Sequence, residues 1–140
     1  MENITYEEFK KMDIRVGTIR EVEPVPDTDK LLRCQVDFGI KKVLKEVSPE
    51  NENEDGDENE DKEKVFVEEK DIRQIISGIR EYYPEYEKLI GKQVLYIVNL
   101  EPRMIKGFES RGMLMAVDGI EGGPVFLTPE ILVNPGSKVR

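Results

Sequence analysis

The run LLRCQVDFG at residues 31–39 places Leu32, Cys34, Val36 and Phe38 on one parity and Arg33, Gln35 and Asp37 on the other. Successive side chains of an extended strand point to opposite faces, so strict alternation marks a strand with one face in a core and one outside. The chain contains no long stretch of helical periodicity to compete with it, and this single run therefore commits the fold to β-structure built around a half-buried strand.

The neighbouring segments extend that reading. DIRVGTIREVEPV, residues 13–25, starts with Ile14 and Val16 in alternation, and Gly17 then shifts the phase. This predicts a first strand with a bulge or bend at Gly17, as a small barrel needs in order to curl. PVPDTDK is a turn by its prolines and aspartates. KKVLKEV and KVFVEEK carry β-branched residues suited to pairing with each other, and are expected to lengthen the hairpin between strands two and three into a ribbon with a disordered tip. DIRQIISGI is the third strand, KQVLYIVNL the fourth and RGMLMAVDG the fifth. Between the third and fourth, YYPEYEKLIG reads as one short helix, with Pro84 in its first turn and Gly91 as its stop. Thr5 stands three residues before Glu8 in the capping-box pattern, which predicts a two-turn helix with Phe9 and Met12 on one side. The last stretch, broken by Pro129 and Pro135, reads as an extended tail. The expectation is an all-β chain: a five-stranded OB-fold barrel with short helices and a C-terminal extension, forming one domain over residues 1–140.

Charge is unevenly distributed. The formal net charge is -9, and residues 46–64 hold ten acids against two lysines, or -8, which leaves -1 for the rest. Like charges this dense and apolar residues this sparse do not repay the entropy of ordering, so the segment is expected to be a mobile loop insertion. Its acids do not keep EF-hand spacing, which argues against a calcium site. The nearly neutral remainder is free to carry one basic face.

Several chemistries are excluded early. Histidine is absent and Cys34 is the sole cysteine, so a Cys/His zinc cluster, an internal disulfide and a His-activated nucleophile are all ruled out. Cys34, within the alternating run, reads as a buried structural thiol. No phosphate-cradling glycine loop is present and no carboxylate pair stands in a recognisable catalytic frame. The expectations are no catalytic residues, no metal and no cofactor. The chain shows no apolar run of membrane-spanning length and no secretory leader pattern, which points to the cytoplasm and to no membrane partner.

Four motifs in a fixed order, MDIRVGTIREVEPVPDTDKLLRCQVDFG, RQIISGI, IGKQVLYIVNLEPRMIKGFESRGMLMAV and NPGSKVR, resemble the tRNA-binding domain appended to methionyl-tRNA synthetases. The same domain type occurs in free-standing tRNA-binding proteins and in CsaA-like secretion chaperones. The resemblance covers nearly the whole chain outside the acidic insertion. It implies an OB-fold that binds tRNA by shape, a C-terminal extension that makes a homodimer, and a methionyl-tRNA synthetase catalytic chain as partner. The rival it leaves open is an export chaperone of the CsaA type that binds unfolded polypeptides.

The resemblance also marks candidate RNA-binding residues. Asn99 at the end of strand four has an amide able to meet a base edge or 2'-hydroxyl. Arg103 and Lys106, in the loop that follows, are placed to neutralise phosphates. Ser110 offers a hydroxyl, and Met113 a polarisable side chain for a base face. Lys30 and Arg73 match basic positions expected on the same barrel face. Gly107 and Gly112 are read as turn and close-approach positions. The chain departs from the pattern at Val25, where relatives often carry His, at Thr28, where they have Ala, and at Met104, where they have a basic residue. It also departs by the acidic insertion, expected near the ligand face.

Overall fold

A computed structural model describes residues 1–47 and 63–140 of the chain. The expected loop tip, residues 48–62, lies outside the described residues. The N-terminal helix α1 (Tyr6–Lys10) is capped as the sequence requires, with the Glu8 N–H donating to Thr5 Oγ1 at 3.1 Å. It buries none of its side chains.

The core of the fold is an antiparallel sheet of five strands, in the order β3 (Glu63–Ser77), β2 (Leu32–Val47), β1 (Ile14–Pro24), β4 (Gln93–Ile97), β7 (Met113–Leu114). Leu32, Cys34, Val36 and Phe38 all face inward and are buried, as their alternation predicted. They pack with Ile19, Ile75, Val94 and Tyr96, and the Phe38 and Tyr96 rings meet edge-on at 5.4 Å. Burying each such large apolar side chain contributes roughly 1.5–3 kcal/mol, which makes this cluster the main source of stability.

The sheet curls because β1 serves two partners. Its first half, Ile14 to Thr18, pairs with β4, whereas Thr18 to Pro24 pairs with β2. The expected bulge is present but displaced: the register shifts between Ile19 and Glu21, and Gly17 stays in regular pairing with Val94. Gly17 has a different role. A Cβ there would lie 2.4 Å from Val36 Cγ1 and 2.8 Å from the Phe38 ring, so the missing side chain lets the two strands fold onto each other.

The barrel closes through the segment before β7. The Arg111 N–H donates to Gln74 O at 2.9 Å on β3, and Tyr96 and Ile97 pair with Leu114 and Met113. Gly112 sits at this seam with φ +147, where a Cβ would be 3.0 Å from Ile75 Cδ1. Strands one to four and this seam form the OB-like barrel.

Three expectations need correction. The stretch before strand four makes only a 3₁₀ turn, Tyr86–Leu89, because the apolar residues that dock it, chiefly Leu89, fill little more than one turn. The fifth strand is broken into β7 and β8 (Ala116–Asp118), the latter pairing with β9 (Pro124–Phe126) in a separate two-stranded sheet. The loop after strand four folds into a hairpin, β5 (Arg103–Ile105) and β6 (Phe108–Ser110).

The tail is extended and docked. The Val16 N–H donates to Ser137 O at 2.9 Å, the Gly136 N–H to Val16 O at 2.7 Å and the Val139 N–H to Ile14 O at 2.8 Å. Gln93 holds the stretch before it, donating to Val133 O at 2.7 Å and accepting from the Val133 N–H at 3.0 Å.

The predicted ribbon is present. Beyond a register shift between Asp37 and Ile40, β2 and β3 run on together from Ile40↔Lys70 to Val47↔Glu63.

Candidate nucleic-acid interface

The opening that best suits a ligand is a cleft of about 490 Å³ between the end of β3, the β5–β6 hairpin and the β8–β9 sheet. Ile79, Tyr82, Leu100, Arg103, Met113 and Val117 are among its lining residues. The walls are mainly apolar, with Arg103 at one side and the carboxylates of Glu101 and Asp118 at others. Apolar walls with a few placed polar groups suit a flat, partly polar object such as an unstacked base.

The hairpin has a chain-encoded shape. Lys106 and Gly107 are its two turn residues and both have positive φ, +51 and +85, the signature of a two-residue turn matched to strand twist. Gly107 fits this without strain, as its reading as a turn residue anticipated, whereas Lys106 is one of only two non-glycine residues with positive φ among those described. The turn pushes the Lys106 side chain into solvent at the hairpin tip.

What holds the hairpin against the barrel is a set of contacts to β2 and β3. Gln74 Nε2 donates to Glu109 O at 2.9 Å. The Ile76 N–H donates to Ser110 Oγ at 3.0 Å, and the Arg33 guanidinium lies 4.7 Å from the Phe108 ring centroid. Arg33 also pairs with Glu23. These contacts make the cations at Arg103 and Lys106 part of a fixed surface.

The seven residues singled out from sequence separate into groups. Arg103, Ser110 and Met113 line the one cleft. Ser110 itself is only 5% exposed and its hydroxyl is engaged at the barrel seam. Lys106 caps the hairpin beside them. Lys30 is exposed in the turn before β2, and its carbonyl accepts from the Arg80 N–H at 3.1 Å, next to the cleft residue Ile79.

Arg73 and Asn99 lie elsewhere. The Arg73 side chain is 16% exposed; Nη1 donates to Val98 O at 2.7 Å and Nε to Asp71 Oδ1 at 3.1 Å, while the guanidinium sits 5.5 Å from the Phe38 ring. It closes one end of the core. The Asn99 amide donates to Lys11 O at 2.6 Å and accepts from the Asp13 N–H at 2.9 Å, which fixes the approach of the N-terminal segment to β1. Both residues fix the stretch Val98–Asn99 that follows β4, ahead of the hairpin.

Sequence reasoning did not single out Arg33 or Phe108. Strand alternation had already put Arg33 on the outer face, yet nothing local told that an aromatic residue some seventy positions later would stack on it. Tyr82, which lines the cleft, was equally hidden within a segment read as helix.

The ribbon leading into the acidic insertion begins at Ile40 and Lys70, and from Lys70 to Ser77, which lines the cleft, the β3 strand climbs roughly 23 Å at about 3.3 Å per residue. The expected place of the insertion near the ligand face concerns residues 48–62, outside the described residues. Among the described residues no helix is long and apolar enough to cross a membrane.

Comparison with known proteins agrees with this architecture. The profile of the family described as "Putative tRNA binding domain" matches residues 14–59 and 50–138. Methionine-tRNA ligase of Parabacteroides distasonis is 37% identical over 139 residues, which is 99% of this chain and 16% of that enzyme. The ligase of Methanothrix thermoacetophila is 38% identical over 137 residues, again 16% of its length. The chain therefore spans about a sixth of these curated relatives. Among solved structures, the MetRS related protein from Pyrococcus horikoshii superposes with a TM-score of 0.71 at 28% identity, covering 100% of both chains. The chaperone CsaA from Bacillus anthracis gives a TM-score of 0.68 over 99% of this chain and 100% of its own; at 23% identity that likeness concerns the fold alone. With the family's profile matched from the first strand to the docked tail, on an OB-like barrel with a cation-bearing hairpin beside an apolar cleft, this chain belongs to the tRNA-binding domain family.

Proposed function

We propose that this chain is a non-catalytic tRNA-binding module that assists an aminoacyl-tRNA synthetase, the methionyl enzyme in particular. It acts in the cytoplasm as a homodimer. The observation that carries the reading is the profile match across residues 14–138, joined to a rigid hairpin that holds Arg103 and Lys106 next to a cleft able to take an exposed base. Arg103, Lys106 and Lys30 contact phosphates, Met113 lies against a base, and Arg73, Asn99 and Ser110 contribute to the RNA site from the stretch after β4 and the seam. Such a module raises the local concentration of tRNA around a catalytic chain without changing its chemistry.

A second reading, an export chaperone that binds unfolded segments, draws on the apolar lining at Leu100, Met113 and Val117, each about half exposed. A filter-binding assay with tRNA at several salt concentrations separates the two. Affinity that falls as salt rises, with competition by unlabelled tRNA and not by duplex DNA, supports the first. Suppression of aggregation with no RNA retained on the filter replaces it with the second.

A further inference from the structure

Two adjacent tyrosines follow β3, and the fold uses them differently. The Tyr83 ring stacks on Phe126 at 4.7 Å with 19° between the planes, and its hydroxyl donates to Pro124 O at 2.7 Å. Tyr83 therefore ties the β8–β9 sheet to the barrel. Tyr82 is 54% exposed, and its side chain makes no hydrogen bond and its ring no aromatic or cation contact among the described residues. Of the aromatic residues it alone lines the 490 Å³ cleft among those described.

The Tyr82 side chain is open but seated. Its N–H donates to Ile79 O at 3.1 Å, and Gly123, which comes from the β8–β9 turn that Tyr83 helps to anchor, lies against the ring. A Cβ at Gly123 would stand 2.6 Å from Cδ1 and 3.0 Å from Cε1 of Tyr82, so any side chain there would displace the ring. The glycine gives the tyrosine its place. A ring held from one side by backbone, with more than half of the residue open to a cleft, is ready for stacking before a ligand arrives and loses little freedom on binding one.

The charges of the cleft say which part of a nucleotide meets that ring. Glu101 and Asp118 also line it and make no ion pair among the described residues, so they repel a phosphate from their side of the cleft. Arg103 attracts one on its own side. The uncharged base is then the part of a nucleotide that enters.

We infer that Tyr82 is a stacking platform for one unpaired base of a bound RNA. This rests on the tRNA-binding reading and adds to it a contact of a different physical kind. A stack releases no condensed counterion, so its contribution is the same at every salt concentration, whereas that of Arg103 falls as salt rises.

The full chain with Tyr82→Leu, Tyr82→Phe or Tyr82→Trp, titrated with unfractionated tRNA by filter binding across a salt series, tests the assignment. Tyr82→Leu should bind about tenfold more weakly at each salt concentration with the salt slope of the native chain, the effect of losing one base–aromatic stack. Tyr82→Phe keeps the ring and should bind within about twofold of the native chain. The chain has no tryptophan, so Tyr82→Trp introduces a sole indole reporter. Its emission should be quenched by tRNA and unchanged by heparin, a polyanion without bases. Urea denaturation of each variant, expected to match the native chain because the residue is half exposed, separates lost binding from lost folding. Native binding left intact by Tyr82→Leu, an equal loss in Tyr82→Phe, or indole emission unchanged at saturating tRNA each overturns the platform and leaves the tRNA-binding reading standing. Quenching by an unfolded polypeptide with no tRNA retained by the native chain overturns both.

Discussion

Ser110 Oγ accepts the Ile76 N–H at 3.0 Å, and through this bond a residue at the end of the β5–β6 hairpin completes the hydrogen bonding of β3 where no strand lies alongside it. The hydroxyl is buried, so its removal leaves a backbone donor without a partner. Ser110→Ala should cost about 1–3 kcal/mol of stability, the usual price of an unsatisfied buried donor. Urea denaturation measures it; a stability equal to that of the native chain would show that the seam does not depend on this bond.

Lys106 is the converse case, an exposed cation on a turn. Lys106→Asn removes the charge and keeps a residue that accepts positive φ. The expected outcome is unchanged stability, weaker tRNA binding and a salt dependence shallower by about one counterion. Arg103→Gln should behave in the same way. Filter binding across a salt series checks both, and parallel salt slopes for mutant and native chains would remove the residue from the interface.

The docked tail hinges on Gly136, whose φ is +86 and whose Cβ, if it had one, would lie 2.0 Å from the carbonyl oxygen of Phe38. Gly136→Ala cannot be relieved by rotating a side chain, because the obstacle is backbone. We expect residues 136–139 to lose their bonds to β1 and the melting temperature to fall. Hydrogen exchange at Val16 and Val139 reports the release directly, with protection retained at Cys34 and Val36 in the core.

The core predicts its own alkaline limit. Burial pushes the Cys34 thiol from 9.0 up to about 11, and it raises the Tyr96 phenol in the same direction, with the nearby thiol adding to the effect. The folded chain therefore holds the Cys34 proton more tightly than the unfolded one. Stability from this group is whole below pH 9.0 and is lost as the pH climbs toward 11, in all about 3 kcal/mol at roughly 1.4 kcal/mol per unit. Cys34→Ala should flatten the fall in denaturation free energy over that window; a fall as steep as in the native chain would place its origin elsewhere.

The Tyr96 hydroxyl has no hydrogen-bond partner among the described residues, although the ring is buried against Phe38. Tyr96→Phe keeps the ring contact and removes the stranded oxygen, so the variant should match or exceed the native stability by about 1 kcal/mol. A loss of 2 kcal/mol or more in thermal or urea unfolding would mean that the hydroxyl is satisfied after all.

Local pattern was enough to determine the strands that carry the core, the capped N-terminal helix, the paired ribbon and the inward set from Leu32 to Phe38, because alternation and capping are written over a few adjacent residues. The same pattern, joined to the resemblance of four ordered motifs, pointed to the RNA-binding family. Tertiary structure alone decided where the chain bulges, which is at Arg20 and not Gly17, since that depends on which strand β1 faces at each point of its length. It also decided the surroundings of the candidate residues: Arg73 and Asn99 spend their hydrogen bonds on Asp71, Val98, Lys11 and Asp13, while Arg103 and Lys106 ride on a hairpin stacked against Arg33. A side chain's type is local, but the groups that compete for it arrive from distant parts of the chain, and only folding brings them within reach.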